Sequence, residues 1–332
     1  MRCSVRQSAK RITIIKMSSK YVLGIDTSNY TTSAALYDLE TGAVIHKRML
    51  LPVSEGGRGL RQSDAVFHHT QQLHLVIDQL VNEAGENPRI AAIGVSARPR
   101  DTEGSYMPCF TVGVNTAKSL ASLLGVPVYE YSHQAGHIAA AVYSSGHTEL
   151  YDKEFIAFHV SGGTTEAVLV EPSDDHVFDC TIVGKTLDLH AGQAVDRVGV
   201  AMGLKFPCGA ELEKLAMKCG KKINVKVCVK DTDCCLSGIE NICSKMAENN
   251  TDSSEIAMTC LVFIEKTLEK MCGNILDKYG DLPVLFAGGV MSDIIIREGI
   301  KKRFDCFFAT PELSSDNACG AAVLAARRFG GN

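Results

Sequence analysis

The chain reads as an α/β protein of two lobes built on one plan, with a cleft between them. Two observations predict this. A strand–turn–strand segment rich in small residues occurs near the start, YVLGIDTSNYTTSAALYD, and again at midchain, FIAFHVSGGTTEAVLVE. Each is followed by segments of helical period that alternate with short apolar runs, the pattern of sheets covered by helices. A length of 332 residues accommodates one large domain or two lobes of about 150 residues each.

Taken in order, the first 16 residues carry five basic and no acidic side chains and lack the apolar core of a secretory signal. Residues 1–17 are expected to be an extension outside the folded domain, an alternative upstream start or a short disordered tail. The first hairpin follows, its Gly/Asp/Ser/Thr turn letting backbone N–H groups approach a ligand. DAVFHHTQQLHLVIDQLVNEAG has helical period, with His68 and His69 as surface or helix histidines. RIAAIGVSA and VPVYEYSH read as buried strands. The midchain hairpin turns at Ser-Gly-Gly-Thr-Thr, and AVDRVGVAMGL after it is helical. LPVLFAGGV is a further strand. Gly288 and Gly289 end it where a helix is expected to start at Ser292 and Asp293, so that a purine or ribose can lie against backbone and an anion can face the helix N-terminus.

Composition bounds the function. With 45% hydrophobic and 22% charged residues the chain is an ordinary globular protein, and no apolar run reaches the roughly 18 residues that cross a bilayer. The thirteen cysteines form no C-x-x-C pair and read as reduced cytosolic thiols, many of them buried. A net charge of −4 excludes a protein that coats nucleic acid by bulk charge. A local basic stretch remains, with Lys218, Lys221, Lys222, Lys226 and Lys230; it fits either phosphate contacts or a solvated surface.

YSHQAGHIAAAVY places His133 and His137 four residues apart, ahead of an Ala-rich run. On a helix, residues i and i+4 share a face, so both imidazoles can reach one ion. The same spacing suits two polar residues on an ordinary helix, and spacing alone leaves both readings open. The first histidine has no glutamate beside it, which separates the motif from the H-E-x-x-H of metalloproteases.

Seven stretches in order resemble the tRNA N6-adenosine threonylcarbamoyltransferase family, once mislabelled as O-sialoglycoprotein endopeptidases. They are LGIDTSNYTTSAALYD, SHQAGHIAAA, HVSGGTTEAVLV, GKTLDLHAGQAVDRVGVAMGLKFPCG, LSGIEN, FAGGVMSD and SSDNACGAA, and they span nearly all of the chain after Met17. The resemblance implies the two-lobed α/β fold of the actin, Hsp70 and sugar-kinase group, with an interlobe nucleotide cleft. The first lobe would comprise residues 18–132, completed by 310–332, and the second residues 133–309. It implies one divalent metal ion on His133, His137 and Asp316, a facial set with open positions. Two imidazoles favour iron or zinc, and magnesium also fits. His159, Val160, Ser161, Gly162 and Gly163 fall on the family's run at the carbamoyl or phosphate end of the donor. Asp196 and Gly209 fall on positions that hold ribose and adenine, although an exposed helix acid and a turn residue also fit them. Asp293 stands where the family usually has Asn.

The implied reaction transfers a threonylcarbamoyl group from threonylcarbamoyl-AMP to the exocyclic amine of the adenosine 3′ of a tRNA anticodon, releasing AMP. The implied partners are tRNA, related subunits of the same fold and ATPase subunits of a modification complex. Pairing through the first lobe, a cytoplasmic location and no membrane go with them. The chain also departs from the family pattern. Its opening hairpin keeps an acid at Asp26 but loses others, Thr164 replaces a histidine, and His190 and Gln193 replace neutral and acidic residues. RPRDTEGSYMPCF replaces a G-P-G-L loop. Such changes fit a paralogue with another carbamoyl-type donor or acceptor. A non-catalytic scaffold subunit is a third reading, which the retained histidine pair opposes.

Overall fold

The computed structural model describes residues 20–28, 30–52, 60–85, 88–313 and 318–330. The expected 1–17 extension and Asp316 lie outside these residues. The first hairpin is formed by β1 (Lys20–Asp26) and β2 (Thr31–Asp38), and β3 (Val44–Leu50) extends it into an antiparallel meander. After helix α1 (Gln62–Ala84), β4 (Arg89–Arg98) pairs parallel to β1. After α2 (Phe110–Leu124), β5 (Val128–Ser132) pairs parallel to β4. The order across this sheet is β3-β2-β1-β4-β5.

The second half repeats the plan. β6 (Phe155–Val160), β7 (Thr165–Ser173) and β8 (Val177–Lys185) form an antiparallel meander. Helices α4 (Ala191–Ala201) and α5 (Gly209–Ala216) come next, then a ribbon of β9 (Cys228–Lys230) and β10 (Asp233–Cys235), then α6 (Gly238–Glu248) and α7 (Ser253–Tyr279). β11 (Val284–Ala287) then pairs parallel to β6, and after α8 (Ile294–Lys301), β12 (Cys306–Phe308) pairs parallel to β11. The order β12-β11-β6-β7-β8 is the first sheet's order reversed. The hairpin seen twice in the sequence is thus the seed of each sheet, in a two-lobed α/β fold.

Between the sheets lies α3 (His133–Ser145), and α9 (Cys319–Gly330) packs against both α3 and the first sheet. Alternation along β1 explains its layers: Leu23 and Ile25 face a core with Leu73 and Val76 of α1 and Ala117 of α2, while Val22 faces α3 and α9. That second core continues into Phe155, Val168 and Leu285 of the other sheet, so the lobes share apolar contacts. The Ala-rich sequence of α3 serves this position. A Cβ on Gly320 would collide with the Gly136 carbonyl, so the two helices approach this closely only because position 320 lacks a side chain. Behind the second sheet, α7 covers a large core in which Phe158, Phe286 and Phe308 stack at centroid separations of 4.7 and 5.4 Å.

Two details differ from expectation. The helix after Gly288 and Gly289 starts later: a 3-10 turn takes Gly289–Ser292, and Asp293 is the N-cap of α8 rather than a helical residue. Gly288 has φ 101° and ψ 160°, so the backbone leaving β11 is not helical. His69 is fully buried, with Nδ1 2.8 Å from the Thr32 hydroxyl, because α1 turns that face onto β2. No described helix is long and apolar enough to cross a membrane. The described cysteines are all free thiols.

Candidate functional site

Helix α3 begins at the C-terminal end of β5, where Ser132 caps it by accepting a hydrogen bond from the Ala135 N–H. His133 is therefore the first helical residue, and His137 follows one turn later on the same face. Their Nε2 atoms lie 2.9 Å apart and their ring centroids 4.3 Å apart. The other nitrogen of His133, Nδ1, is 2.8 Å from Oδ2 of Asp26. Asp26 ends β1 and is only 1% exposed. It accepts further hydrogen bonds from the Ser96 hydroxyl at 2.5 Å and from the Ser28 N–H at 2.8 Å. Burial works against its ionisation, but the His133 charge and the hydrogen bonds from His133, Ser28 and Ser96 outweigh it and hold the carboxyl below its ordinary value.

This arrangement fits a metal ion. A carboxylate on Nδ1 fixes the tautomer with a lone pair on Nε2 and raises its basicity, the usual support of a ligating histidine. The two Nε2 atoms are within hydrogen-bond distance of one another, donor and acceptor being set by the tautomers, and an ion held by both would take the place of the shared proton. Adjacent ligands at ordinary metal–nitrogen lengths sit about 3 Å apart, close to the separation of the two nitrogens. His159 stands beside the pair, its ring centroid 4.8 Å from that of His137. Among the described residues no cluster of three or more His, Cys, Asp or Glu side chains is arranged to hold an ion. The third expected ligand, Asp316, lies outside those residues.

The Ser-Gly-Gly turn joins β6 to β7 just beyond His159 and Val160. It is closed from within: the Ser161 N–H donates to the Thr164 carbonyl at 2.7 Å, and the Gly163 and Thr164 N–H groups donate to the Ser161 hydroxyl at 3.3 and 3.1 Å. The Gly192 N–H at the start of α4 donates to the Ser161 carbonyl at 3.0 Å. The backbone donors of Ser161 and Gly163 are thus committed to the turn. Gly162 is exposed, with open space where a Cβ would stand. On the far side, Gly288 adopts φ 101° and a Cβ there would strike the Val160 carbonyl. A narrow pocket lined by His137, Ala157, His159, Ala287, Gly288 and Leu313 connects the histidines to the Gly-Gly turn.

The remaining three candidates gather around the start of α5, away from the histidines. Asp196 accepts from the Cys208 N–H at 2.8 Å, which fixes the Phe206–Gly209 loop and commits one carboxylate oxygen. Gly209 opens α5, and a Cβ there would meet only Val195, at 4.0 Å, so no close contact demands a glycine. Asp293 caps α8 by accepting from the Ile296 N–H at 3.0 Å, while Glu213 of α5 accepts from the Ile294 N–H at 2.8 Å. Burial, helped by the nearby Glu213 charge, pushes the Asp293 carboxyl up to about 6. In the basic stretch, Lys221 is paired with Glu255 at 2.6 Å.

Sequence reasoning gave Asp26 no role, although an acid at the end of a buried strand is the signal that carries one. It also missed Glu166, which is buried on β7 directly opposite His159 in the strand register. Its two oxygens accept from Arg100 Nη2 at 2.7 Å and from Gln134 Nε2 at 2.6 Å.

Two duplicated meander sheets around a shared helix define the two-lobed α/β fold of the actin, Hsp70 and sugar-kinase group. The fold is similar to that of Acidaminococcus fermentans (R)-2-hydroxyglutaryl-CoA dehydratase component A, with a TM-score of 0.53 and 14% identity, covering 94% of this chain and 100% of that one. It is also similar to T. kodakarensis HypF, with a TM-score of 0.57 and 13% identity, covering 95% of this chain and 47% of that one. At such identities the likeness concerns the fold alone. Sequence goes further: the model of the TsaD family, tRNA N6-adenosine threonylcarbamoyltransferase, matches residues 54–323, and the chain belongs to this transferase family. It is 28% identical over 322 residues to the tRNA N6-adenosine threonylcarbamoyltransferase of Geobacillus kaustophilus, covering 91% of this chain and 90% of that one. To the enzyme of the same name from Streptococcus thermophilus it is 28% identical over 328 residues, covering 93% and 92%.

Proposed function

We propose that this protein is a metal-dependent acyltransferase that moves a threonylcarbamoyl group from threonylcarbamoyl-AMP to N6 of the adenosine 3′ of a tRNA anticodon. The observation that carries the reading is the Asp26–His133–His137 chain of contacts beside the Ser-Gly-Gly turn. The donor is a mixed anhydride, so no protein nucleophile is needed: N6 attacks the carbamoyl carbon and gives up a proton to solvent, the bond to the phosphate oxygen breaks, and AMP leaves. The chain's task is to hold the donor, stabilise charge at the carbonyl and present the amine in line.

His133 and His137 would hold an iron or zinc ion, with Asp316 as a further ligand and Asp26 orienting His133. Such an ion supplies Lewis-acid stabilisation of donor oxygens when bound. The exposed Gly162 offers its backbone to the carbonyl or phosphate end at the turn. Asp196 keeps one oxygen for ribose hydroxyls, and the start of α5 with Gly209 leaves room for the adenine. Asp293 faces the same end of the cleft. With a net charge of −4, tRNA capture would draw on partner subunits of the modification complex or on the lysines between Lys218 and Lys230.

The test is mass spectrometry of tRNA nucleosides after incubation with threonylcarbamoyl-AMP, unmodified tRNA and the host's partner subunits. Formation of the modified adenosine by the wild type and its loss in His133→Ala supports the reading. Absence of the product from the wild type with metal bound removes this acceptor or donor.

A further inference from the structure

Three of the places where this sequence leaves its family's pattern, the loop after β4, Thr164 and His190, neighbour one another in the fold. The loop after β4, Arg98 to Ser105, replaces a small neutral loop, and Arg100 from it reaches across to Glu166 on β7. Glu166 lies two residues beyond Thr164, and the Thr165 hydroxyl accepts from the N–H of Ala191, the residue after His190. Burial holds the His190 imidazole below its ordinary value, with smaller opposing effects of the nearby Glu166 and Arg100 charges. Gln134, which also donates to Glu166, adjoins His133, and Glu166 stands opposite His159. Arg100 therefore stands at the edge of the histidine site.

The loop is braced from several sides. Arg98 donates to Asp101 Oδ1 from Nε and Nη2 at 3.1 and 2.7 Å, and the Ser132 hydroxyl donates to Asp101 Oδ2 at 2.7 Å. The Arg100 N–H donates to the Ser105 hydroxyl at 3.0 Å, and the Gln134 N–H to the Pro99 carbonyl at 3.1 Å. What all this holds still is one guanidinium. Its Nη2 is pinned by a carboxylate whose side chain is 6% exposed, while the Arg100 side chain is 44% exposed. Nε and Nη1 have no protein partner among the described residues. Nη2 carries a second N–H, and together with Nε or Nη1 it makes an edge that matches a carboxylate while its other N–H stays on Glu166.

We propose that Arg100 binds the carboxylate of the acyl group being transferred and so sets which amino-acid-derived carbamoyl donors the enzyme accepts. The proposal rests on the acyl-transfer reading above. Glu166 and Gln134 are positioning residues for it, holding the guanidinium without consuming its outer edge. A simple brace between the lobes would need Arg100 and Glu166 equally; a carboxylate receptor needs the arginine far more.

The experiment is calorimetric titration of the metal-loaded full-length protein with two inert sulfamoyl analogues of the donor, one carrying threonine and one threoninamide. The wild type is expected to prefer the threonine analogue by about tenfold to a hundredfold, the range of one charge-assisted contact. Arg100→Gln removes that preference, Arg100→Lys retains part of it, and Glu166→Gln, whose amide oxygen can still accept from Nη2, retains most of it. Equal binding of both analogues by the wild type, or the same loss in Arg100→Gln and Glu166→Gln, overturns the proposal and leaves the transferase reading standing. Failure of the wild type to bind either analogue overturns both.

Discussion

Asp26 Oδ2 and His133 Nδ1 lie 2.8 Å apart although 107 residues separate them in sequence. The contact ties the end of β1 to the first residue of α3 and turns Nε2 of His133 toward His137. Replacing the carboxylate with an amide keeps the shape and removes the charge. Asp26→Asn is expected to lower metal affinity by about tenfold to a hundredfold. Competition titration against a chelator reads this, and an unchanged affinity would show that Asp26 does not support the ligand.

Asp293 yields a pH prediction. Its folded value of about 6 exceeds the ordinary 3.8, so between these values the folded state binds more protons than the unfolded one. Stability is therefore full below about pH 4 and falls as pH rises toward 6. Asparagine caps a helix as well as aspartate does. Asp293→Asn is expected to stabilise the protein at pH 7 by about 1–3 kcal/mol and to leave it unchanged near pH 4. Urea unfolding at the two pH values checks the sign.

The α3–α9 contact depends on Gly320. Gly320→Ala places a methyl group on the Gly136 carbonyl and forces two buried helices apart, at an expected cost of about 1–3 kcal/mol. Metal occupancy should fall with it, because α3 carries both histidines. Gly162→Ala, at an exposed turn with open space around it, should stay within about 0.5 kcal/mol of the wild type. Denaturation midpoints and metal content of the two variants separate these outcomes.

The parts of the fold visible in the sequence were those written locally. The two hairpins announce themselves by apolar runs around small-residue turns, and the i, i+4 spacing put His133 and His137 on one face. Partners set by tertiary contact were not legible: nothing near Glu166 points to Arg100 66 residues away, nor to the β-ladder that brings His159 opposite. Asp293 was placed at the start of α8 in the sequence, but its role as a half-buried cap beside Glu213 depends on α5 packing there. The Ser-Gly-Gly turn looked like a row of free backbone donors, whereas the Ser161 hydroxyl takes two of them for itself.

The account rests on His133 and His137 holding a catalytic metal ion, and elemental analysis of the purified full-length protein tests that most directly. One transition-metal ion per chain in the wild type, lost in both His133→Ala and His137→Ala while the fold is retained, is the predicted result. Equal metal content in the wild type and the two variants, or transferase activity that survives complete metal removal, would contradict it.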